Sequence, residues 1–175
     1  DDITGFDEIS ENIAIDAVKE NFFDLCADGK YEMGVNTPHI VFNYLDYLLW
    51  YYDRNSKKKY TDFVFEFRNS VEHWYPQNPS DGSFDPWEDK DTFGNLCIIS
   101  RSVNSKFSNL SPESKMKSYG KMVAKGSLKL RLMGEIIQQN SNDDWINNYC
   151  EKHEKKMISI LEDACKKCEN DDLLL

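Results

Sequence analysis

The sequence predicts an α+β domain, mainly helical, with a small β element set between two groups of helices. Three observations predict it. Apolar residues recur at helical spacing over most of the chain. Two short pieces near the middle, Ser70-Val71-Glu72-His73 and Leu96-Cys97-Ile98-Ile99, read as extended. The chain has 175 residues, 40% of them hydrophobic, which is enough for one domain with its own core and too apolar for a disordered segment.

Along the chain, Ile9, Ile13, Ala17, Val18, Phe22, Leu25 and Cys26 recur at helical spacing over residues 7–27, and Asp28-Gly29 ends that helix. Thr37-Pro38 reads as a cap followed by a first-turn proline. The helix it opens runs through Ile40, Phe42, Tyr44, Leu45, Leu48, Leu49 and Tyr52. Its apolar surface wraps most of the way round, so it belongs at the centre of the core. Residues 55–60 form a polar, basic loop. Phe63-Val64-Phe65-Glu66-Phe67 is aromatic and β-branched and reads as extended, as does residues 70–73 after it. Residues 74–93 hold three of the five prolines and read as a long loop, a length that inside a domain marks function. Leu96 to Ile99 is the clearest strand. Residues 102–109 make a short exposed helix. Ser111-Pro112-Glu113 opens another with a cap, a proline and an acid, running to about Gly126. Residues 127–139 are helical again. The last helix starts near Asn142 and carries the stripe Ile146, Tyr149, Cys150, His153, Met157, Ile160, Leu161, Ala164 and Cys168, with a frayed tail from Asn170.

Composition excludes several classes. No apolar run reaches the roughly eighteen residues of a membrane span, and no Gly-rich phosphate loop is present, so the chain should not bind nucleotide by itself. The five cysteines, Cys26, Cys97, Cys150, Cys165 and Cys168, have no framework-like spacing and fit a reducing, cytoplasmic compartment. Cys165-Lys-Lys-Cys168 is at best half a zinc site. No signal peptide is visible. The opening Asp1-Asp2, without a Met, reads as a piece of a longer protein.

Net charge is −10, but it is unevenly distributed. Residues 1–53 carry twelve acids and two bases, whereas Arg101 to Arg131 carry eight bases and one acid. A basic block of that kind can track phosphates, or simply be a solvated helix face.

The chemistry is concentrated just before that block. Glu72 and His73 stand on the first extended piece, Asn95 opens the second, and Asn104 sits on the helix that follows. Phosphodiester hydrolysis needs a base for the attacking water, and histidine titrates in the right range. It also needs positive charge on the phosphate, which one divalent metal held by oxygen ligands supplies. A carboxylate and an Asn amide oxygen meet that demand. One constraint is geometric: neighbours on a regular strand face opposite ways, so Glu72 and His73 share a site only if the strand ends or twists there. Each residue also has a plain reading. A lone His beside Trp74 and Tyr75 is often a half-buried hydrogen-bonding residue, Gly94-Asn95 is an ordinary turn, and Asn104 is an ordinary surface amide. His39 and His153 read as structural. Trp74, Tyr75, Trp87 and Phe93 read as core packing before base stacking.

Val71-Glu72-His73-Trp74-Tyr75-Pro76-Gln77, then Phe93-Gly94-Asn95-Leu96-Cys97-Ile98-Ile99-Ser100, then Val103-Asn104-Ser105-Lys106-Phe107-Ser108-Asn109, resemble the HNH (ββα-metal, His-Me finger) nuclease motif. More closely, they resemble the C-terminal nuclease domain of GmrSD-type modification-dependent restriction endonucleases. The resemblance runs from Val71 to about Lys115, and implies a ββα core over about residues 70–110 within a domain spanning 1–175. It implies that His73 is the general base and that Glu72, where many such sites have Asp, is a metal ligand directly or through water. Asn104 would be the second protein ligand of one Mg²⁺ or Mn²⁺ ion. Asn95 would brace the loop after His73, and Arg101, Lys106 and Lys115 would contact nucleic acid. No His follows on the helix, so Ser108 or Asn109 would have to serve as any further ligand. The implied function is a DNA endonuclease, the effector half of a restriction or anti-phage system, fused to an N-terminal NTP-using or modification-sensing domain. The rival expectations are a non-catalytic nucleic-acid- or protein-binding domain of the same shape, and a ribonuclease, since no residue reads a 2′-hydroxyl.

Overall fold

The computed structural model describes the chain over residues 8–78 and 85–172, with side chains over 10–78 and 85–167. Helix α1 (Glu8–Val18) continues through a π turn (Lys19–Phe23) and a 3₁₀ turn (Asp24–Cys26). After a 3₁₀ turn at Gly34–Asn36 comes α2 (His39–Arg54). Strands β1 (Ser70–His73) and β2 (Leu96–Ile99) follow, then α3 (Arg101–Phe107), α4 (Pro112–Val123), α5 (Leu128–Ile137), α6 (Asn142–Asp144) with a π turn (Trp145–Tyr149), and α7 (Cys150–Asp172). The architecture is the expected α+β one, and β1, β2 and α3 form a consecutive ββα unit.

The strands pair antiparallel, Ser70 opposite Ile99, Val71 opposite Ile98, Glu72 opposite Cys97 and His73 opposite Leu96. All four β2 residues are buried, because helices cover both faces of the ribbon. Leu96 and Ile98 join Val71, Phe42, Leu45, Phe93, Met157 and Leu161 in one core, against α1, α2 and α7. Cys97 and Ile99 join Trp74, Phe107, Leu130, Met133 and Trp145 in a second, against α3, α4 and α5. Alternation along one strand therefore feeds two cores.

Local signals set most helix ends. Ser111 accepts from Ser114 N, Pro112 occupies the first turn of α4, and Ser141 and Asp144 form a reciprocal capping box. Three expectations are corrected. Pro38 is itself the cap residue of α2, and Thr37 Oγ1 turns back to Gly34 O at 2.7 Å. Residues 63–67 form no strand, since the sheet holds only β1 and β2 among the described residues. Phe63 is buried, but Val64, Phe65 and Phe67 are 62%, 52% and 86% exposed. On the last helix Trp145, Ile158 and Cys165 are buried beside the expected stripe. The side chain of Cys168 and residues 173–175 of the tail lie outside the described residues.

Candidate active site on the ββα unit

The structure brings Glu72 and Asn104 to one face of the ribbon. Ser70 and Glu72 share that face by alternation, and Asn104 on α3 donates its amide Nδ2 to Ser70 Oγ at 2.7 Å. With Nδ2 committed there, Oδ1 is the amide atom left for a ligand. Glu72 is an intermediate, partly covered side chain, and its Oε1 accepts from Lys115 Nζ at 3.0 Å.

His73 is not brought to the same face. β1 stays regular through His73, so its ring points away from Glu72, opposite Leu96. There Nε2 meets Asp91 Oδ1 at 2.7 Å, and the residue is only 6% exposed. Asp91 is half-exposed, with Lys90 Nζ at 3.6 Å from its other oxygen. The 3₁₀ turn at Gly34 closes over this pair. A Cβ on Gly34 would stand 2.7 Å from Asp91 Oδ1, and its φ of +55° also favours glycine.

Asn95 is fully buried and joins the segments on either side of the ribbon's end. Its Oδ1 accepts from Tyr75 N at 2.8 Å and Trp145 Nε1 at 3.1 Å, and its Nδ2 donates to Tyr75 O at 3.0 Å and Lys90 O at 2.8 Å. Trp74 N adds a backbone bond to Asn95 O at 2.8 Å. Gly94 allows the close approach of α7: its N donates to Glu154 Oε2 at 2.7 Å, and a Cβ would sit 2.6 Å from Cys150 O.

The basic block divides in two. Arg101, Lys106, Lys117, Lys121 and Lys125 are exposed, while Lys115, Lys129 and Arg131 are buried. Lys115 is therefore corrected: it is 0% exposed, and besides Glu72 its ammonium donates to His73 O at 2.6 Å and Trp74 O at 2.9 Å. A charge so enclosed is spent on the protein and is not presented to a backbone phosphate. Lys129 does the same at the start of β2, donating to Phe93 O at 2.8 Å, Gly94 O at 3.2 Å and Leu96 O at 2.5 Å. Burial pushes the Lys129 ammonium down to about 8 and lowers Lys115 as well, with Glu72 opposing the shift at Lys115. Arg101 and Lys106 lie on the exposed side of α3, and Ser108 and Asn109 are exposed just beyond its end.

Of the other candidates, Trp74, Tyr75 and Phe93 are core residues and Trp87 packs edge-on to Tyr75 with ring centres 5.8 Å apart. His39 is exposed at the start of α2. His153 is buried 5.8 Å from the Trp145 ring, and burial drives its pKa well below the ordinary value, so it is neutral. Sequence reasoning missed Asp91, Ser70 and the interior role of Lys115 and Lys129. The only available signal was Lys129 standing between Leu128 and Leu130 in an apolar run.

Among the described residues no group of three or more His, Cys, Asp or Glu is gathered to hold a metal ion. A cation on the Glu72 face would rest on one carboxylate, one amide oxygen and water. That donor set fits a hard ion such as Mg²⁺, which keeps several waters, and does not fit zinc. No helix is long and apolar enough to cross a membrane.

A family model described as GmrSD restriction endonucleases, C-terminal domain, matches residues 19–160. No curated protein and no solved structure matches the chain.

Proposed function

The chain belongs to the family of GmrSD restriction endonuclease C-terminal domains, and from that premise we propose that it is a divalent-metal-dependent endonuclease of the HNH type that hydrolyses DNA. The observation that carries this reading is the ββα unit on which Glu72 and Asn104 share one face through the Asn104–Ser70 bond. Glu72 and Asn104 would hold one Mg²⁺ or Mn²⁺. Such an ion supplies Lewis-acid stabilisation of the phosphate and the leaving oxygen.

The chain's own residues supply the rest. His73 takes the proton of the attacking water. As the last residue of β1 it is the chain neighbour of Glu72, with its imidazole on the opposite face beside Asp91. Access to the ring leads past Asp91, so substrate engagement displaces that half-exposed carboxylate. Asn95 holds the turn after His73, and Arg101 and Lys106 meet backbone phosphates. In the full protein, an N-terminal NTP-using or modification-sensing domain delivers the DNA, in the cytoplasm.

A second reading, a binding domain of the same shape without catalysis, is favoured by one observation: Glu72 is already neutralised by Lys115, and His73 lies on the other face. Nicking of supercoiled plasmid separates the two. Nicking with Mg²⁺ or Mn²⁺, abolished by EDTA and reduced by at least about 10²-fold in His73→Ala and in Asn104→Ala, is the expected result. Metal-independent nicking, or nicking that survives His73→Ala, would overturn the assignment. No nicking, together with no Mn²⁺ binding by the wild type, would favour the second reading.

A further inference from the structure

Beside the Glu72–Asn104 face lies a groove of about 530 Å³ whose lining includes Arg68, Ser100, Val103, Lys121 and Lys125. We propose that it is a subsite for a DNA backbone phosphate flanking the one that is cleaved, with Arg68 as its fixed donor and Lys121 and Lys125 as mobile ones. The proposal rests on reading the chain as a DNA-cleaving domain.

Its position is set by the ribbon. Arg68 stands two residues before Ser70, the partner of Asn104, and Val103 is the neighbour of Asn104 on α3. Ile99, opposite Ser70 in the sheet, also lines the groove. A phosphate held there would lie on the Glu72 side, next to the candidate metal ligands.

Arg68 is only 7% exposed, an unusual depth for a guanidinium. Among the described residues it makes one hydrogen bond, a long 3.5 Å contact from Nη2 to Glu66 Oε2. Its guanidinium carbon lies 5.8 Å from the centre of the Phe63 ring. Besides Glu66 it acts on the buried Asp46 carboxylate, whose pKa it helps to lower, and its planar fork, a geometry that matches phosphate, lines the groove. Two carboxylates also line the groove, Asp62 and Glu66. Asp62 is paired with Arg131 at 2.9 Å, which leaves Glu66 against three cations. Within the lining the balance favours an anion, and the exposed Lys121 and Lys125 match a ligand that continues past the groove, as a nucleic-acid strand does.

The test is binding of a fluorescent DNA duplex of about 20 base pairs, in EDTA, over a series of salt concentrations. The proteins compared are the wild type, Lys121→Gln, Lys125→Gln, Arg68→Gln and Lys117→Gln. Lys117 is exposed on α4 outside the groove and is the control. The salt slope should fall by about 0.9 for each phosphate contact removed, with affinity down several-fold, in the groove variants and not in the control. Thermal melts check Arg68→Gln for folding, and the exposed Lys121 and Lys125 keep the test valid if it unfolds. Groove variants that match Lys117→Gln would overturn the subsite while leaving DNA binding intact. A wild type that binds no DNA would overturn both the subsite and the functional reading. Unchanged DNA slopes with lost binding of polyglutamate would reassign the groove to an acidic protein segment.

Discussion

The two faces of the β1–β2 ribbon carry alternate residues of one strand, yet they are closed in different ways. The Ser70–Glu72 face is closed by a cation: Lys115, wholly buried, neutralises Glu72 and takes two carbonyls at the end of β1. The His73 face is closed by a carboxylate from a loop, Asp91, under a glycine turn. The difference teaches that adjacent residues of a regular strand stand in separate environments, each closed by its own partner. The ribbon's end is heavily fixed. Asn95 ties it from within, Lys115 holds β1 and Lys129 holds the start of β2.

The strongest way to break the comparison is to remove what both faces share. Asn95→Ala deletes four side-chain hydrogen bonds at a buried position and should cost about 3 kcal/mol or more in urea unfolding. A loss well under 1 kcal/mol would mean the two faces are fixed independently. Next, Lys115→Met attacks one face alone. It leaves Glu72 and two carbonyls without their donor, at a cost of about 3 kcal/mol by the same measurement.

Lys129 can be tested by pH. Its folded pKa, about 8, lies below the ordinary 10.5, so between pH 8 and 9 the unfolded chain binds a proton that the folded chain lacks, and stability rises with pH. The slope is at most about 1.4 kcal/mol per pH unit. Burial raises the thiols of Cys97 and Cys150 from 9.0 to about 12, so above pH 9 the folded chain keeps protons the unfolded chain loses, and stability falls. Unfolding free energy should therefore peak near pH 9, and Lys129→Met should lessen the rising limb, to which Lys115, also lowered by burial, contributes. A rise of equal size in the variant would remove Lys129 as its source.

On the His73 face, Gly34→Ala should cost about 1–2 kcal/mol, through the positive φ and the crowding of Asp91, and should leave the Lys115 side undisturbed. The smallest effect on folding is expected from Arg101→Gln and Lys106→Gln. Both side chains are exposed, so stability should stay within about 0.5 kcal/mol while duplex affinity falls.

Much of the frame was legible because it depends on local signals. Ser111-Pro112-Glu113, the polar Asn142-Asp143-Asp144 start of the last helix and the apolar run Leu96 to Ile99 announce their elements directly. That Glu72 and Asn104 serve one site was an expectation from the resemblance, and the structure shows Asn104 bonded to Ser70 on the face of β1 that Glu72 shares. What was not legible depends on tertiary position. Five surface bases and three buried ones look alike in a run of Lys and Arg. Asp91 lies in a loop rich in acids, and nothing in its neighbours distinguishes the one that reaches His73. Phe63 to Phe67 has strand composition but no partner, and β propensity without a partner does not make a strand.

The interior lysines also make the protein its own reporter of opening. An amine-reactive reagent near pH 8 should acylate Lys117, Lys121 and Lys125 at once, because they stand in solvent. Lys115 and Lys129 are covered and should react only when the helices above them part. Mass-resolved labelling would thus time the breathing of the ribbon's two ends separately, one lysine for each strand.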